Sequence, residues 1–451
     1  MIVKGINQKA LLNFVNKFKE IGHLQQMGII HEDELKLKFS VKPYETTDVK
    51  QLFSVSKTFT SMAIGLAIAE GKMTLHDKVV DYFRPLIDGE VNPRLAKMEV
   101  FHLLTMTTGH DSCVMHKIGP TPNPVKAFLE LPLEHEPGTY FAYNTGASLI
   151  LAVIIKIVTG KEIDEYLAPM LEALEIKNSY FEKIGGACLG GVGTHVDIQA
   201  LLNFGSMLLH EGMFKGKQVV PSDYVKLATS KCVENPHNGT ADWTCGYGLH
   251  LWMGQVGYRC DGAYGQLIIV LPESDLVIAI QACVDNMQKE VDLVMELVKE
   301  LFEEYDVENL EDKINNVYKV ETTNDFNENV SYKLDSNSLN LDSVNISGNG
   351  TDVLVDFVGK NGFTVNSGNG HYIKNSFWVT GLKAKISGMM PDMYEESIFS
   401  SYYKYNDNTL ELVMKNHNTP LLQSIIFEFD NNEVVIKLNN KILTGKLNQL
   451  G

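Results

Sequence analysis

Residues 54–71 read SVSKTFTSMAIGLAIAEG, and this stretch decides how the first half of the chain is interpreted. The apolar spacing after Lys57 predicts an amphipathic helix that ends at Gly71. Ser54 and Lys57 are three residues apart, so a helix places their Cβ atoms about 5–6 Å apart on one face. A lysine partly removed from water near the positive end of a helix dipole loses part of its preference for the charged form. Neutral Lys57 can then accept the hydroxyl proton and make Ser54 a usable nucleophile.

The spacing alone also permits a purely structural interpretation, in which Ser54 caps the helix and Lys57 is solvated. The same spacing recurs at Ser401 and Lys404, in a strand-like, asparagine-rich region with no helix after it. We interpret that second copy as chance. The assignment of Ser54 as a nucleophile therefore depends on partners found elsewhere in the chain.

The composition is that of an ordinary globular protein, with 44% hydrophobic and 21% charged residues among 451. A chain of this length has room for two or three domains. The formal net charge of −17 argues against a nucleic-acid surface, because phosphate binding needs concentrated lysine and arginine. The charge also provides no basic patch for an anionic membrane. We therefore expect a small-molecule partner, with no nucleic acid and no membrane; the oligomeric state stays open.

The absence of targeting signals and the cysteine spacing favour a cytoplasmic protein. Residues 1–7 lack the apolar core of a signal peptide. The longest apolar stretch, 147–158, is too short to span a bilayer and contains Lys156. The six cysteines are scattered along the chain without close pairs of metal-ligand spacing. We expect a reduced protein with free thiols, no metal and no organic cofactor.

The first part of the chain alternates strands and helices around the 54–71 helix. The predicted elements are a helix near 8–20, short strands and turns at 24–53, mainly helical structure from 54 to about 235, and two strands at 267–271 and 276–280. A Pro-Glu-Ser-Asp turn joins the last two strands. A further helix follows, and Asp285 with Gln288 resembles the capping box that would begin it.

The character of the sequence changes after about residue 306. Residues 307–330 are polar and charged, which predicts a linker. From residue 331 onward, short alternating runs are separated by asparagine and glycine turns, a pattern typical of an antiparallel sandwich or barrel. We therefore expect a first domain at 1–306, a linker at 307–330 and an all-β domain at 331–451. The all-β domain contains no recognisable chemistry.

A candidate partner of Ser54 is Tyr143, which follows a Pro-Gly turn and precedes a long apolar helix. A tyrosine in such a loop can act as a general acid or base if a neighbouring cationic lysine stabilises its phenolate. A packing tyrosine with a satisfied hydroxyl is the simpler alternative.

A second candidate is the stretch from Asp261 to Gln266, at the start of an apolar strand. Its glycines permit close backbone approach, and an N–H at the strand edge, that of Ala263, could pair with the N–H of Ser54 as an oxyanion hole. A glycine-bearing β-turn explains the same residues equally well. Of three tryptophans, Trp243, Trp252 and Trp378, Trp252 lies nearest this stretch and is the likeliest to line a substrate cleft.

The order of these motifs resembles the serine beta-lactamase-like hydrolase family. That family groups class C beta-lactamases, penicillin-binding proteins, carboxylesterases and amide hydrolases such as 6-aminohexanoate hydrolases. The matching segments are, in chain order, Ser54-x-x-Lys57, Pro137-Gly138-Thr139 with Tyr143-Asn144-Thr145, and Gly262-Ala263-Tyr264-Gly265-Gln266 before a Leu-Pro-Glu hairpin. The segment 102–109 also matches the family's Leu-Leu-Thr-Met-Thr-Ser-Gly pattern closely. The resemblance covers about residues 25–305.

The resemblance implies a role for each matching side chain. Ser54 would be the acylated nucleophile, Lys57 would assist proton transfer, and Tyr143 would be the proton shuttle. Thr145 stands where many members have asparagine, and threonine offers a hydroxyl but no amide. Asp261 stands where many members have the lysine of Lys-Thr-Gly, and an aspartate there would repel a substrate carboxylate.

These features together predict an α+β fold, in which an antiparallel sheet is flanked by helices and carries an inserted helical subdomain. A C-terminal antiparallel β-sandwich or barrel would follow. The expected activity is a serine hydrolase of the carboxylesterase or amidase type. The alternatives are a D-amino-acid peptidase or beta-lactamase, and a catalytically retired binding module. The expected substrate pocket comprises Thr145, Asp261, Gly262, Tyr264 and Trp252.

Overall fold

The chain forms two compact units in the computed structural model. The described residues are 1–184, 187–239, 241–303, 305–378, 396–438 and 441–447. The first unit contains residues 1–40 and 45–310, and the second contains 41–44 and 311–451. The side chain of Trp378, a candidate cleft residue, lies outside the described part of the chain.

The first unit contains both helices and strands. Its strands are β1 (Ile2–Val3), β2 (Gly22–His31), β3 (Glu34–Ser40), β4 (Lys50–Gln51), β5 (Ser179–Phe181), β6 (Lys183–Ile184), β7 (Ala187–Cys188), β8 (Thr194–Val196), β9 (Met213–Phe214), β10 (Lys217–Gln218), β11 (Trp252–Met253), β12 (Tyr258–Gly262), β13 (Gln266–Leu271) and β14 (Leu276–Val284). Its helices are α1 (Gln8–Ile21), α2 (Ser56–Ala69), α3 (Val79–Tyr82), α4 (Val100–Leu104), α5 (Met115–Ile118), α6 (Pro124–Glu130), α7 (Thr145–Thr159), α8 (Ile163–Ala173), α9 (Ile198–Leu209), α10 (Ser222–Ala228) and α11 (Met287–Glu300). Short 3₁₀ turns include Phe53–Val55.

The main sheet of this unit has the strand order β1-β3-β2-β14-β13-β12-β11. Each neighbouring pair is antiparallel. Strand β14 is buried along almost its whole length, because it lies in the middle of the sheet between β2 and β13. Helix α9 packs against β2, β13 and β14, and Gly28 and Gly205 leave room for this close approach. Added Cβ atoms there would lie 2.5 Å from Leu202 and Val277, respectively.

The helical subdomain interrupts this sheet between β3 and β11. Helices α2, α7 and α8 contact one another, and α4, α5 and α6 pack against α7. A small sheet of order β4-β8-β5 lies beside the start of α2. The insertion brings the start of α2 next to β12, whose contacts with the Phe53–Val55 turn join the subdomain to the sheet.

The second unit is a sheet of antiparallel neighbours that is closed by one parallel pairing. Its elements are α12 (Leu310–Val317), β15 (Asn329–Leu334), β16 (Leu341–Gly348), β17 (Asp352–Gly359), β18 (Phe363–Gly368), β19 (Ile373–Trp378), β20 (Glu396–Asn406), β21 (Thr409–Asn416), β22 (Leu422–Asp430), β23 (Glu433–Leu438) and β24 (Lys441–Leu447). The order β18-β17-β16-β15-β24-β23-β22-β21-β20-β19, with an additional β18–β20 pairing, closes the sheet into a barrel. Alternating apolar residues, including Val353, Val355 and Phe357, form its core.

The fold class expected from the sequence is confirmed. Of the two forms expected for the C-terminal domain, sandwich or barrel, the structure shows a barrel. The stretch 307–330, expected to be a linker, contains helix α12 and belongs largely to the second unit. The expected capping box of α11 is wrong, because Asn286 is the N-cap and its side chain accepts from the Lys289 N–H at 3.2 Å.

Within the described residues, the helices are too short or too polar to cross a bilayer. Among the described residues, no disulfide joins the cysteines.

Candidate active site

Ser54 lies in a strained turn at the beginning of α2. Strand β4 leads into the 3₁₀ turn Phe53–Val55, and Phe53 has a φ of 48°, in the left-handed region. For a residue with a side chain this conformation costs about 1–2 kcal/mol, and such strain persists only where the surroundings hold it. Here the turn is held from both sides, since Leu52 N donates to Thr194 O at 2.8 Å and Thr194 N donates to the Ser56 hydroxyl at 3.0 Å.

Lys57 points from the first turn of α2 at the Ser54 hydroxyl. Its Nζ lies 2.9 Å from Ser54 Oγ and 2.9 Å from the carbonyl oxygen of Gly191. The side chain is buried, with a relative exposure of 1%. Burial lowers the pKa of Lys57 to about 7, because the charged ammonium is deprived of water. A large fraction of this lysine is therefore a neutral amine at neutral pH.

His250 supports Lys57 from behind. Its Nδ1 lies 3.0 Å from the carbonyl oxygen of Lys57, and Thr58 Oγ1 donates to the carbonyl oxygen of His250 at 3.2 Å. Burial lowers the pKa of His250 to about 3, so the imidazole is neutral and Nδ1 donates. Sequence reasoning missed this residue, because a lone histidine carries no pattern that separates a supporting role from an ordinary core position.

Tyr143 lies on the other side of Lys57. The Lys57 Nζ is 5.0 Å from the centre of its ring, which is within the range of a cation–π contact. The ring stacks on Trp252, with centroids 5.3 Å apart. Burial raises the pKa of Tyr143 above its usual value, and an interaction with the Ser54 hydroxyl partly opposes that rise. The phenol is therefore neutral and can donate a proton, whereas a phenolate base is disfavoured.

The residues after Tyr143 cap helix α7 and contact the loop at Gly191. Asn144 is fully buried and caps α7, and its Oδ1 accepts from the N–H groups of Gly146 and Val114 at 3.0 and 3.2 Å. Thr145 is partly buried at the first position of the helix. A Cβ added to Gly191 would lie 2.9 Å from Thr145 Cγ2, so this threonine contacts the loop that provides the acceptor for Lys57.

The third motif lies against the turn that carries Ser54. A Cβ added to Gly262 would lie 2.1 Å from the carbonyl oxygen of Leu52, so only glycine permits this approach. Ala263 follows at the end of β12 and is exposed. The ring of Tyr264 meets that of Phe53 edge-on, with centroids 5.2 Å apart. The motif thus brings the Ala263 backbone to the neighbourhood of Ser54.

Asp261 is turned away from solvent and paired. Its carboxylate lies 3.0 Å from Nε of Arg259, and the two side chains are 4% and 2% exposed. Burial raises the pKa of Asp261 to about 6, although Arg259 opposes that rise. The Asp261 charge is thus compensated, which weakens the expectation that it repels a substrate carboxylate. Arg259 was missed, although arginine and aspartate two residues apart on one strand face are a readable signal.

The structure brings together Ser54, Lys57, Tyr143 and Trp252 from distant parts of the sequence. Trp243 extends the aromatic surface, with its ring 5.1 Å from that of Trp252. The arrangement places the Lys57 amine, whose pKa burial lowers to about 7, on the serine hydroxyl, with aromatic rings beside both. Such a constellation can activate the hydroxyl for attack on an electrophilic carbon.

Comparison with known proteins identifies the family of this chain and proteins of similar fold. The beta-lactamase family model matches residues 27–291, which is more than half of the chain. An octameric penicillin-binding protein homologue from Pyrococcus abyssi has a similar structure, with a TM-score of 0.50 and 15% identity over 97% of this chain and 99% of that one. A D-stereospecific amidohydrolase from Streptomyces sp. matches with a TM-score of 0.50 and 16% identity, over 63% of this chain and 98% of its own. Identities this low show a shared fold.

A curated relative adds a match in sequence. An uncharacterized protein of Alkalihalophilus pseudofirmus is 25% identical over an alignment of 205 residues that covers 41% of this chain. The chain spans 54% of the length of that relative. The family model together with the fold settles the family: the chain belongs to the beta-lactamase family.

Proposed function

We propose that this protein is a serine hydrolase that cleaves an ester or amide bond, transferring the acyl group first to Ser54 and then to water. The observation that carries the proposal is the 2.9 Å contact between Lys57 Nζ and Ser54 Oγ. Burial lowers the pKa of this lysine to about 7, so it can accept the hydroxyl proton at neutral pH. A merely capping serine followed by a solvated lysine has neither feature.

In the acylation step, Ser54 Oγ forms a bond to the substrate carbonyl carbon while its proton passes to Lys57 Nζ. The π electron pair of the carbonyl moves onto its oxygen, where the N–H groups of Ser54 and Ala263 stabilise the negative charge. Collapse of this intermediate breaks the bond to the leaving alcohol or amine. The leaving group takes a proton from the neutral Tyr143 phenol, which regains one from the Lys57 ammonium.

In the deacylation step, water attacks the acyl-Ser54 ester and gives its proton to neutral Lys57. The second tetrahedral intermediate expels Ser54, whose oxygen recovers that proton, and the carboxylic acid leaves. Over both steps the OH of water joins the acyl group, its other hydrogen replaces the one that the leaving group took, and the enzyme is regenerated. Ser54 and Lys57 therefore act in both steps, and Tyr143 acts in the acylation step.

An ester or amide substrate suits the surroundings of Ser54. The partly exposed ring of Tyr143 lies beside the nucleophile and suits an uncharged group, whereas Trp252, expected to line the pocket, is 5% exposed and supports that ring from behind. The structural likeness to the Streptomyces amidohydrolase agrees with acyl transfer from an amide. A beta-lactam substrate remains a second candidate, because Arg259 compensates the charge of Asp261.

The test is the intact mass of the protein after separate exposure to a fluorophosphonate and to a penicillin. We expect wild type to gain one fluorophosphonate adduct and Ser54→Ala to gain none. Ser401→Ala is the matched control, since it removes the serine of the second Ser-x-x-Lys spacing, and it should label like wild type. A penicillin adduct that depends on Ser54 would move the substrate to the beta-lactam class. Labelling of Ser54→Ala at the wild-type rate, or of no variant, would overturn the proposal and favour the binding module.

A further inference from the structure

The side chain of Gln266 holds the turn formed by residues 263–265. Its Nε2 lies 2.8 Å from the carbonyl oxygen of Ala282, 3.3 Å from that of Tyr264 and 3.5 Å from that of Ala263. Gln266 is fully buried, at the first position of β13. One amide group therefore connects the turn to the neighbouring strand β14.

The orientation of this amide follows from its neighbours. Carbonyl oxygens only accept hydrogen bonds, so the end of the Gln266 side chain that faces them is the NH₂ group. The Oε1 atom at the other end has no hydrogen-bond partner among the described residues. The side chain thus acts on the turn as a donor.

The turn requires such support because its backbone is strained. Tyr264 has a φ of 64°, which is uncommon for a residue with a side chain, and Gly265 has a φ of 84°. A second donor, the N–H of Val284, reaches the Tyr264 carbonyl oxygen at 3.1 Å. A Cβ added to Gly265 would lie 2.6 Å from the buried carboxyl of Glu290, so the turn is closely packed on that side. Ala263, at the other end of the turn, is exposed.

We infer that Gln266 is a positioning residue, which holds the turn so that the Ala263 N–H points at the developing oxyanion. This inference rests on the proposed function, because it assigns Gln266 a role in the same acyl transfer. Donors of an oxyanion hole act only if they are fixed before the charge develops. The amide of Gln266 donates to the carbonyl oxygens of Ala263 and Tyr264, the residue that carries the N–H and the one after it, so its loss frees the exposed end of the turn.

The test compares Gln266→Met with Gln281→Met. Methionine has a similar length and no donor. Gln281 is the matched control, because it is the cross-strand partner of Gln266, is equally buried, and donates to Val196 O at 3.2 Å, away from the turn. For Gln266→Met we expect kcat on p-nitrophenyl acetate to fall about 10- to 100-fold, with KM changed less than about threefold. Inhibition by phenylboronic acid, which forms a tetrahedral adduct, should weaken by a similar factor. Gln281→Met should keep the wild-type values.

A second variant separates positioning from folding. Gln266→Glu keeps one O–H donor, because burial favours the protonated carboxyl, so it should retain more activity than Gln266→Met. Equal activity of Gln266→Glu and Gln266→Met, or equal losses in Gln266→Met and Gln281→Met, would overturn the inference. Absence of Ser54 labelling in wild type would instead reject the proposed function itself. Full labelling of wild type together with unchanged kcat in Gln266→Met would reject the positioning role alone.

Discussion

The Lys57 side chain is buried, and its amine is hydrogen-bonded to the Ser54 hydroxyl. The protonated ammonium has little hydration in this buried position, so burial lowers the pKa of Lys57 to about 7. The carbonyl oxygen of Gly191, 2.9 Å away, fixes the direction of the amine. The residue is thus prepared to alternate between amine and ammonium near neutral pH.

The pH dependence of turnover follows from this pKa. The neutral amine is the active base, so kcat/KM should rise with pH and level off, with a midpoint near pH 7. Lys57→Met should lower kcat/KM by about 100- to 10,000-fold, since it removes the general base. The measurement is the pH profile of p-nitrophenyl ester hydrolysis.

The matched control for that profile is Lys50→Met. Lys50 is also fully buried, and burial lowers its pKa to about 7, but it lies on β4 and is assigned no catalytic role. Its variant should keep the wild-type midpoint. If Lys50→Met moved the midpoint while Lys57→Met left it unchanged, Lys57 would not be the base.

For single residues, the sequence predicts contacts between neighbours in the chain but not hydrogen bonds between residues far apart in it. Ser54 and Lys57 were predicted because their spacing acts within one helix turn. The second copy, Ser401 and Lys404, lies on strand β20, as the sequence indicated, where a spacing of three points the two side chains to opposite faces. His250 was not predictable, because its hydrogen bond to the Lys57 carbonyl joins residues 193 positions apart.

Among the elements, the hairpin of β12 and β13 matters most, because it lies against the turn that presents Ser54. Gly262 permits the contact, and its α-hydrogen faces the carbonyl oxygen of Leu52. A side chain at that point would push the end of β12 away from the nucleophile. Because the oxyanion donors must be in place before reaction, a shift of about 1 Å is expected to reduce turnover strongly.

Gly262→Ala should therefore lower kcat/KM at least about 10-fold and also lower the melting temperature. The added Cβ would lie 2.1 Å from Leu52 O, so the backbone must move. Gly71→Ala is the control: its added Cβ meets nothing within 4 Å, although its φ of 69° costs some stability. Gly71→Ala should be less stable yet as active as wild type. Equal activity of the two variants would show that the hairpin contact has no role.

The helices and strands were predicted well where the pattern was long, and less well at their ends. Helix α1 lies within two residues of its expected bounds. At α11, Asp285 and Asn286 are adjacent and both suit an N-cap, so pattern alone cannot select Asn286. The barrel could not be separated from a sandwich, because closure depends on the single pairing of Gly368 with Tyr402.

For the whole molecule, buried lysines in both units link stability to pH. Lys415 of the second unit is 4% exposed, and burial lowers its pKa to about 7. In the unfolded chain a lysine titrates near about 10.4. Between these values the unfolded state binds the extra proton, so the contribution to the free energy of unfolding rises with pH. Below about pH 7 the lysine is protonated in both the folded and the unfolded chain, so burying the charged group destabilises the folded state to its full extent.

Lys415→Met should therefore raise the melting temperature relative to wild type most at pH 7, and the advantage should shrink toward pH 9.5. Differential scanning calorimetry at both pH values provides the measurement. Lys404→Met serves as control, because Lys404 is half exposed and pairs with Glu411 at 3.2 Å. A difference for Lys415→Met that is constant with pH would contradict the prediction.

The sequence could not reveal that residues 41–44 belong with the second unit. This short segment lies between β3 and β4 and reads as an ordinary connection. This membership depends on the folded positions of residues far apart in the sequence, and local pattern carries no such information. The boundary near residue 310 was visible only because composition changes there.

The position of β14 has a consequence for synthesis on the ribosome. Strand β2 ends at His31, and its central partner β14 begins only at Leu276. At a translation rate of about 5–20 residues per second, roughly 12–50 s separate the emergence of the two strands. During that interval one edge of an apolar strand has no partner, and the nascent chain depends on chaperones or on its own helices to shield it. The site around Ser54 is complete only after that wait.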